Sequence, residues 1–213
     1  MPEFAELLEG YRRFRQSAYP RQKLRYDHLV TKGQSPKLMI IGCSDSRVDP
    51  SQIFDVDPGE IFVVRNVAAL VPPFERSAGQ HGVSAALEFA VQFLKVRQIV
   101  VMGHGMCGGC KAALTQELHG RELGDGGFVA NWVNLLDEAR GPVVEKYGTD
   151  SPEAERAMEM AAVGVSLKNL RSFPKVQERE ADGSLKLRGA FFAISEGVLH
   201  LLDEETGQFQ PAK

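Results

Sequence analysis

Residues 38–42 form an unbroken apolar run, and residues 61–65 and 98–103 repeat its texture. Runs this short, without polar alternation, predict strands buried on both faces, as in a parallel sheet. Between the second and third runs, apolar residues of 82–94 recur at helical spacing, which gives strand, crossover helix and strand. The same spacing predicts helices over 110–119, 128–140 and 151–171, the last with Ser151 as N-cap and Pro152 in its first turn. Residues 187–195 and 198–202, joined through Glu196 and Gly197, predict a closing hairpin. At the amino end Phe4, Leu7, Leu8, Tyr11 and Phe14 recur at three and four residues, an amphipathic helix that should end at Tyr19 and Pro20. Its apolar face needs a partner, either another subunit or its own domain.

The expected fold class is therefore α/β: a mostly parallel central sheet of four to five strands flanked by helices, with an N-terminal helical arm. No repeat, low-complexity tract or linker divides the chain, so a single domain over residues 1–213 is expected, with the arm at 1–33, the core at 34–203 and a C-terminal tail at 204–213.

Composition narrows the function. With 213 residues, 43% of them hydrophobic, and a formal net charge of -3, the chain has the make-up of an ordinary soluble globular protein. It has no basic stripe of the kind nucleic acid requires, so no nucleic-acid partner is expected. The longest apolar runs are strand-sized, so no membrane span is expected either. Residues 2–19 carry charges throughout and lack the apolar core of a secretory leader. The only cysteines are Cys43, Cys107 and Cys110, a sparse odd set that suits a reduced, cytoplasmic setting in which thiols bind metal or react.

Two of these thiols end apolar runs or follow them closely. Cys43 closes the first, and His104 with Cys107 follows the third. In an open parallel sheet, functional residues sit beyond the carboxyl ends of strands. Cys, His and Cys together suit a tetrahedral zinc ion with its fourth position open to water, the mark of catalytic rather than structural zinc. Asp45 and Arg47 follow Cys43 at two-residue intervals and can stand at the rim of such a site as a bidentate pair.

Other readings compete for the same residues. Gly103, Gly105 and Gly108 match a dinucleotide-binding fingerprint, but no acidic residue ends a second strand about 20 residues later. The glycines are read instead as room for a metal to approach the backbone. Cys107 and Cys110 could form a redox pair, or Cys110 could close the zinc site as a fourth ligand; we read it as a small core residue. A phosphatase-type nucleophile at Cys43 fits poorly, because Arg47 follows too soon to wrap a phosphate.

Taken together, Cys43-Ser44-Asp45-Ser46-Arg47-Val48, Gly59-Glu60, Val64-Arg65-Asn66-Val67-Ala68 and Gly103-His104 with Cys107-Gly108-Gly109 resemble the β-class carbonic anhydrases. The likeness runs from about residue 34 to 195. It implies one Zn²⁺ per subunit on Cys43, His104 and Cys107, and reversible hydration of carbon dioxide to bicarbonate through a zinc-bound hydroxide. It also implies a homodimer or higher homo-oligomer. Asp45, oriented by Arg47, would accept the hydroxide's proton in a hydrogen bond. In the plant-like branch the resemblance further assigns Gln34, Phe62, Val67, Phe89 and Gly108 to the substrate pocket, Gln34 often reaching the neighbouring subunit's cleft. Phe89 stands where that branch carries a tyrosine. Ile40 stands where the other branch has a tryptophan beside an inhibitory bicarbonate, so an accessible site is expected. The remaining alternative is a non-catalytic zinc protein that senses carbon dioxide or bicarbonate.

Overall fold

The computed structural model describes residues 3–77 and 79–212. Two N-terminal helices, α1 (Phe4–Gln16) and α2 (Ala18–Lys32), precede strand β1 (Leu38–Cys43). A short helix α3 (Pro50–Ile53) leads to β2 (Ile61–Asn66), and α4 (Gly82–Glu88), extended by a π-helical turn over Phe89–Phe93, leads to β3 (Gln98–His104). Five helices follow: α5 (Gly108–Thr115), α6 (Gly127–Val133), α7 (Asp137–Tyr147), α8 (Pro152–Leu170) and α9 (Pro174–Ala181). Strands β4 (Lys186–Ala193), β5 (Val198–Asp203) and β6 (Gln208–Pro211) complete the chain.

The six strands form one sheet in the order β2-β1-β3-β4-β5-β6. The first four run parallel, and β5 and β6 are added antiparallel. From β1 the chain passes to β2 on one side and later to β3 on the other, so β1 and β3 flank a topological switch point, where the carboxyl ends open a crevice. Register sets the crevice level, since Cys43 pairs with Asn66 and Gly42 with Met102. Cys43 and His104 therefore end neighbouring strands.

Burial explains why the apolar runs are continuous. Met39, Ile41, Ile99 and Val101 point to one face, against Leu87 and Ala90 of the crossover and Val163, Leu167 and Leu170 of α8. Ile40, Met102 and Ala190 point to the other, against Ile53 and Phe54, with Leu38, Ile61, Val100 and Leu199 half-buried there. Helix α8 lies close on β3 because Gly103 has no side chain: a Cβ there would stand 2.8 Å from Cγ2 of Val163.

Several expectations need correction. The sheet has six strands rather than four to five, because Gln208–Pro211, expected as tail, pairs with β5. Its four residues hold too little apolar pattern to be seen in isolation. The arm is two helices, and the break falls at Ser17 rather than at Tyr19-Pro20; Pro20 sits in the first turn of α2, where the N–H it lacks would have no partner. Helix α5 stops at Thr115, where Gln116 takes a left-handed conformation, so it does not reach His119. The helix expected over 128–140 divides into α6, a 3-10 turn over Asn134–Leu136, and α7, which continues through Pro142 to Tyr147. Ser151 caps α8 as expected, accepting the Ala154 N–H at 3.1 Å.

Candidate metal centre

Cys43, His104 and Cys107 meet at the carboxyl ends of β1 and β3, all buried, with one ligand atom from each lying within 4.8 Å of the others. Nδ1 of His104 lies 2.8 Å from the Gly105 carbonyl, a bond that places the proton on Nδ1 and leaves Nε2 as the free lone pair. Nε2 is buried and finds no hydrogen-bond partner among the described residues. An orphaned imidazole nitrogen beside two thiols is the donor set that zinc satisfies, so the residues present fit that ion. The Cys43 thiol is pushed up to about 12, first by its hydrogen bond to Cys107 and then by burial. Cys107 is also pushed up to about 12, chiefly by Cys110, with burial adding to this and Cys43 opposing it. Such thiols ionise readily only when a cation shares the site.

Cys110 stands outside the three-ligand cluster, buried with Ala113, Leu114 and Val133. It is a core residue, and a zinc ion on the three-ligand set would have one tetrahedral corner free. Of the glycines read as room for a metal, Gly103 is required by packing, whereas Gly108 faces open space; the neighbouring Gly109 is also required by packing, since a Cβ there would stand 2.6 Å from Cγ1 of Val67 and 3.1 Å from Cβ of Ala68.

Asp45 and Arg47 form the expected pair. Nε of Arg47 donates to Oδ1 of Asp45 at 2.9 Å and Nη2 to Oδ2 at 2.6 Å, while the Arg47 backbone N–H also donates to Oδ1 at 2.9 Å. The guanidinium hydrogen bonds are the first cause holding the Asp45 carboxyl well below the usual carboxylate range. Nη2 also donates to the Met106 carbonyl at 2.9 Å, tying the two ligand loops together.

Two positioning residues escaped sequence reading. Arg65, at the end of β2, donates to the carbonyls of Cys43 (2.9 Å) and Asp45 (2.6 Å) and to Asp49 (2.9 Å), which itself caps α3. Glu159 of α8 is 4% exposed, and its Oε1 accepts the Cys107 N–H at 2.9 Å. Burial pushes the Glu159 carboxyl upward. Neither carries a local signal, because its partners lie far along the chain. Glu159→Gln should keep zinc affinity near wild type through its remaining carbonyl oxygen, whereas Glu159→Leu should weaken it by about 10-fold, as measured by competition with a chelator.

The expected pocket residues fall into two groups. Val67 follows β2 at the level of Cys43, in a 3-10 turn closed by Asn66, whose side chain bonds both the N–H (2.8 Å) and the carbonyl (2.9 Å) of Leu70. Trp132 of α6 donates from Nε1 to the Val67 carbonyl at 2.8 Å. Gly108 opens α5 directly after Cys107. Gln34, Phe62 and Phe89 are not brought to this centre. Gln34 precedes β1, Phe62 pairs with Met39 near the start of that strand, and Phe89 stacks toward Phe62 with ring centroids 5.9 Å apart. All three lie toward the opposite end of the sheet from their own chain's Cys43.

A family model described as carbonic anhydrase matches residues 38–199. The chain belongs to the β-carbonic anhydrase family. Beta carbonic anhydrase 3 of Arabidopsis thaliana is 35% identical over 193 residues, covering 90% of this chain and 74% of the relative. The structure of the β-carbonic anhydrase CcaA is 30% identical with a TM-score of 0.89, covering 98% of this chain and 92% of that one. A tetrameric β-carbonic anhydrase from Sordaria macrospora is 32% identical with a TM-score of 0.73, covering 97% and 94%.

Proposed function

We propose that the protein is a zinc-dependent carbonic anhydrase that hydrates carbon dioxide reversibly to bicarbonate and a proton, in an accessible form of the site. The observation that carries this is the buried Cys43, His104 and Cys107 cluster with its orphaned Nε2, set beside a carboxylate already engaged by Arg47. Zinc bound there supplies a water acidic enough to react at neutral pH. The chain's own residues do the rest. His104 presents Nε2 because Gly105 holds Nδ1, and Asp45, ionised and oriented by Arg47, offers an acceptor for the proton of the attacking water. Both Asp45 oxygens accept from Arg47, which supports an open site in which this carboxylate is not a ligand. Stopped-flow hydration with a pH indicator, on protein assayed for zinc, tests the reading. Zinc-loaded protein without turnover would leave only the sensor alternative.

The molecule functions as a homo-oligomer in this reading. No residue of α1 or α2 is buried, and Phe4, Leu24 and Val30 are 74%, 85% and 86% exposed. The arm is anchored through α2, whose Arg25 pairs with Asp57 and Glu60 at 3.2 and 3.0 Å. Phe89 and Phe93, stacked at 5.6 Å, expose a further aromatic patch beside edge strand β2. A second subunit covering these surfaces would set Gln34, Phe62 and Phe89 against its own metal centre, where the Gln34 amide can donate to a bicarbonate oxygen. Leu7→Glu with Tyr11→Glu should raise the dissociation constant of the assembly by about tenfold or more, as read by analytical ultracentrifugation. The three thiols, free in the fold, support a reduced cytoplasmic location.

A further inference from the structure

A groove of about 650 Å³ opens at the end of the sheet opposite the metal centre, lined by Lys37, Lys95, Arg97, Arg179 and Lys186 with Leu94 and small polar neighbours, and by no acidic residue. This is unusual for a chain with 28 acidic and 25 basic side chains. The topology gathers the charges. Lys37 precedes β1, Arg97 precedes β3 and Lys186 begins β4. Their backbones are hydrogen-bonded in succession, with the Arg97 N–H donating to the Lys37 carbonyl at 2.7 Å and the Lys186 N–H to the Arg97 carbonyl at 2.9 Å. Adjacent strands lie about 4.8 Å apart, so the three cations span about 10 Å across the sheet.

None of the five cations has an ion pair among the described residues. The side chains of Lys37, Lys95, Arg97 and Lys186 make no hydrogen bond or ion pair among the described residues, although all four are exposed. Arg179 differs. It donates to the carbonyls of Val91 (2.8 Å), Val96 (2.9 Å) and Ser184 (3.0 Å), so it fixes the groove wall and adds a charge that cannot swing away. Asp182, next to Gly183 of the groove lining, accepts the Ser184 N–H at 2.8 Å. Lys95 stands on a left-handed turn (φ 53) between the crossover and β3.

We propose that this groove is a binding site for a small organic anion carrying two or more phosphoryl groups. The volume falls within the range of small-molecule pockets. Arg97 offers a planar fork for one phosphoryl group, and the lysines are point charges for another. A monoanion would satisfy one cation and leave the others repelling each other. Strands β1 and β3 separate the site from the metal centre by about 20 Å, so occupancy does not block hydration.

The test is calorimetric titration of the zinc-loaded full-length protein with fructose 1,6-bisphosphate, inorganic phosphate and an Asp/Glu-rich peptide at low ionic strength. The bisphosphate should bind about tenfold more tightly than phosphate, and Lys37→Glu with Lys186→Glu should weaken it about 100-fold while zinc content and hydration turnover stay unchanged. Should charge reversal unfold the chain, Lys37→Gln with Lys186→Gln gives the same reading with a smaller loss. Absence of bisphosphate binding at millimolar concentration, binding undiminished in the variants, or tighter binding of the peptide would each overturn the proposal.

Discussion

Replacing His104 by Ala, or Cys107 by Ser, is expected to abolish hydration, with turnover falling by roughly 10³-fold or more and zinc falling from one per chain toward zero. The expectation follows from the closeness of the set. The set is three ligand atoms within 4.8 Å, and Cys110, though hydrogen-bonded to Cys107, lies outside it in the core. The fold should survive, because the strands carrying Cys43 and His104 are held by Met39, Ile41, Ile99 and Val101 on one face and Ile40 and Met102 on the other. Far-UV circular dichroism alongside zinc analysis separates loss of metal from loss of structure. In the wild-type protein, uptake of zinc by the chelated form should release about two protons at pH 7, one from each raised thiol, and zinc affinity should fall as pH is lowered. A Cys107→Ser protein that keeps stoichiometric zinc and normal turnover would show that the cluster is not the catalytic centre.

The centre was legible in the sequence because its ligands end strongly apolar strands. A continuous run such as Leu38 to Gly42 can be little other than an interior strand, and a polar group at its carboxyl end must face the crevice. His104 and Cys107 are local to each other, and Asp45 and Arg47 are local to Cys43, so spacing alone assembled most of the rim. What escaped was long-range or unpatterned. Glu159 reaches Cys107 across 52 residues and Arg65 reaches Cys43 across 22, contacts that no periodicity encodes. Strand β6 is four residues long and gains its identity only from pairing with β5. Gly103 misled for a related reason: it is required by Val163, a neighbour supplied by another element. Helix α1 was legible from its apolar spacing, whereas α2 was not, and no residue of either helix is buried within this chain. Gln34, Phe62 and Phe89, which the family resemblance assigns to the substrate pocket, are not brought to the centre by the fold of their own chain.

Arg47→Ala should lower kcat/KM by about 10- to 100-fold while leaving zinc bound, the loss expected when a group that orients a metal-site residue is removed. The direction of the Asp45 shift identifies the cause. Arg47 holds that carboxyl well below its usual range, so without the guanidinium it returns toward the ordinary carboxylate range and is still ionised at pH 7. The variant therefore keeps its charge and loses its orientation: two side-chain bonds, at 2.9 and 2.6 Å, and the tether to the Met106 carbonyl at 2.9 Å disappear together. Because protonation is not at fault, raising the pH from 7 to 9 should not recover more of the lost activity than the wild type gains over the same range. Arg47→Lys should rescue little, since an ammonium cannot reproduce a bidentate fork. Adding Asp45→Asn to Arg47→Ala should cost much less than Asp45→Asn costs alone, as for two residues acting as one unit. Full additivity of the two substitutions in a zinc-loaded double variant would mean that Asp45 and Arg47 serve the reaction separately, and the oriented-carboxylate account of this site would fail.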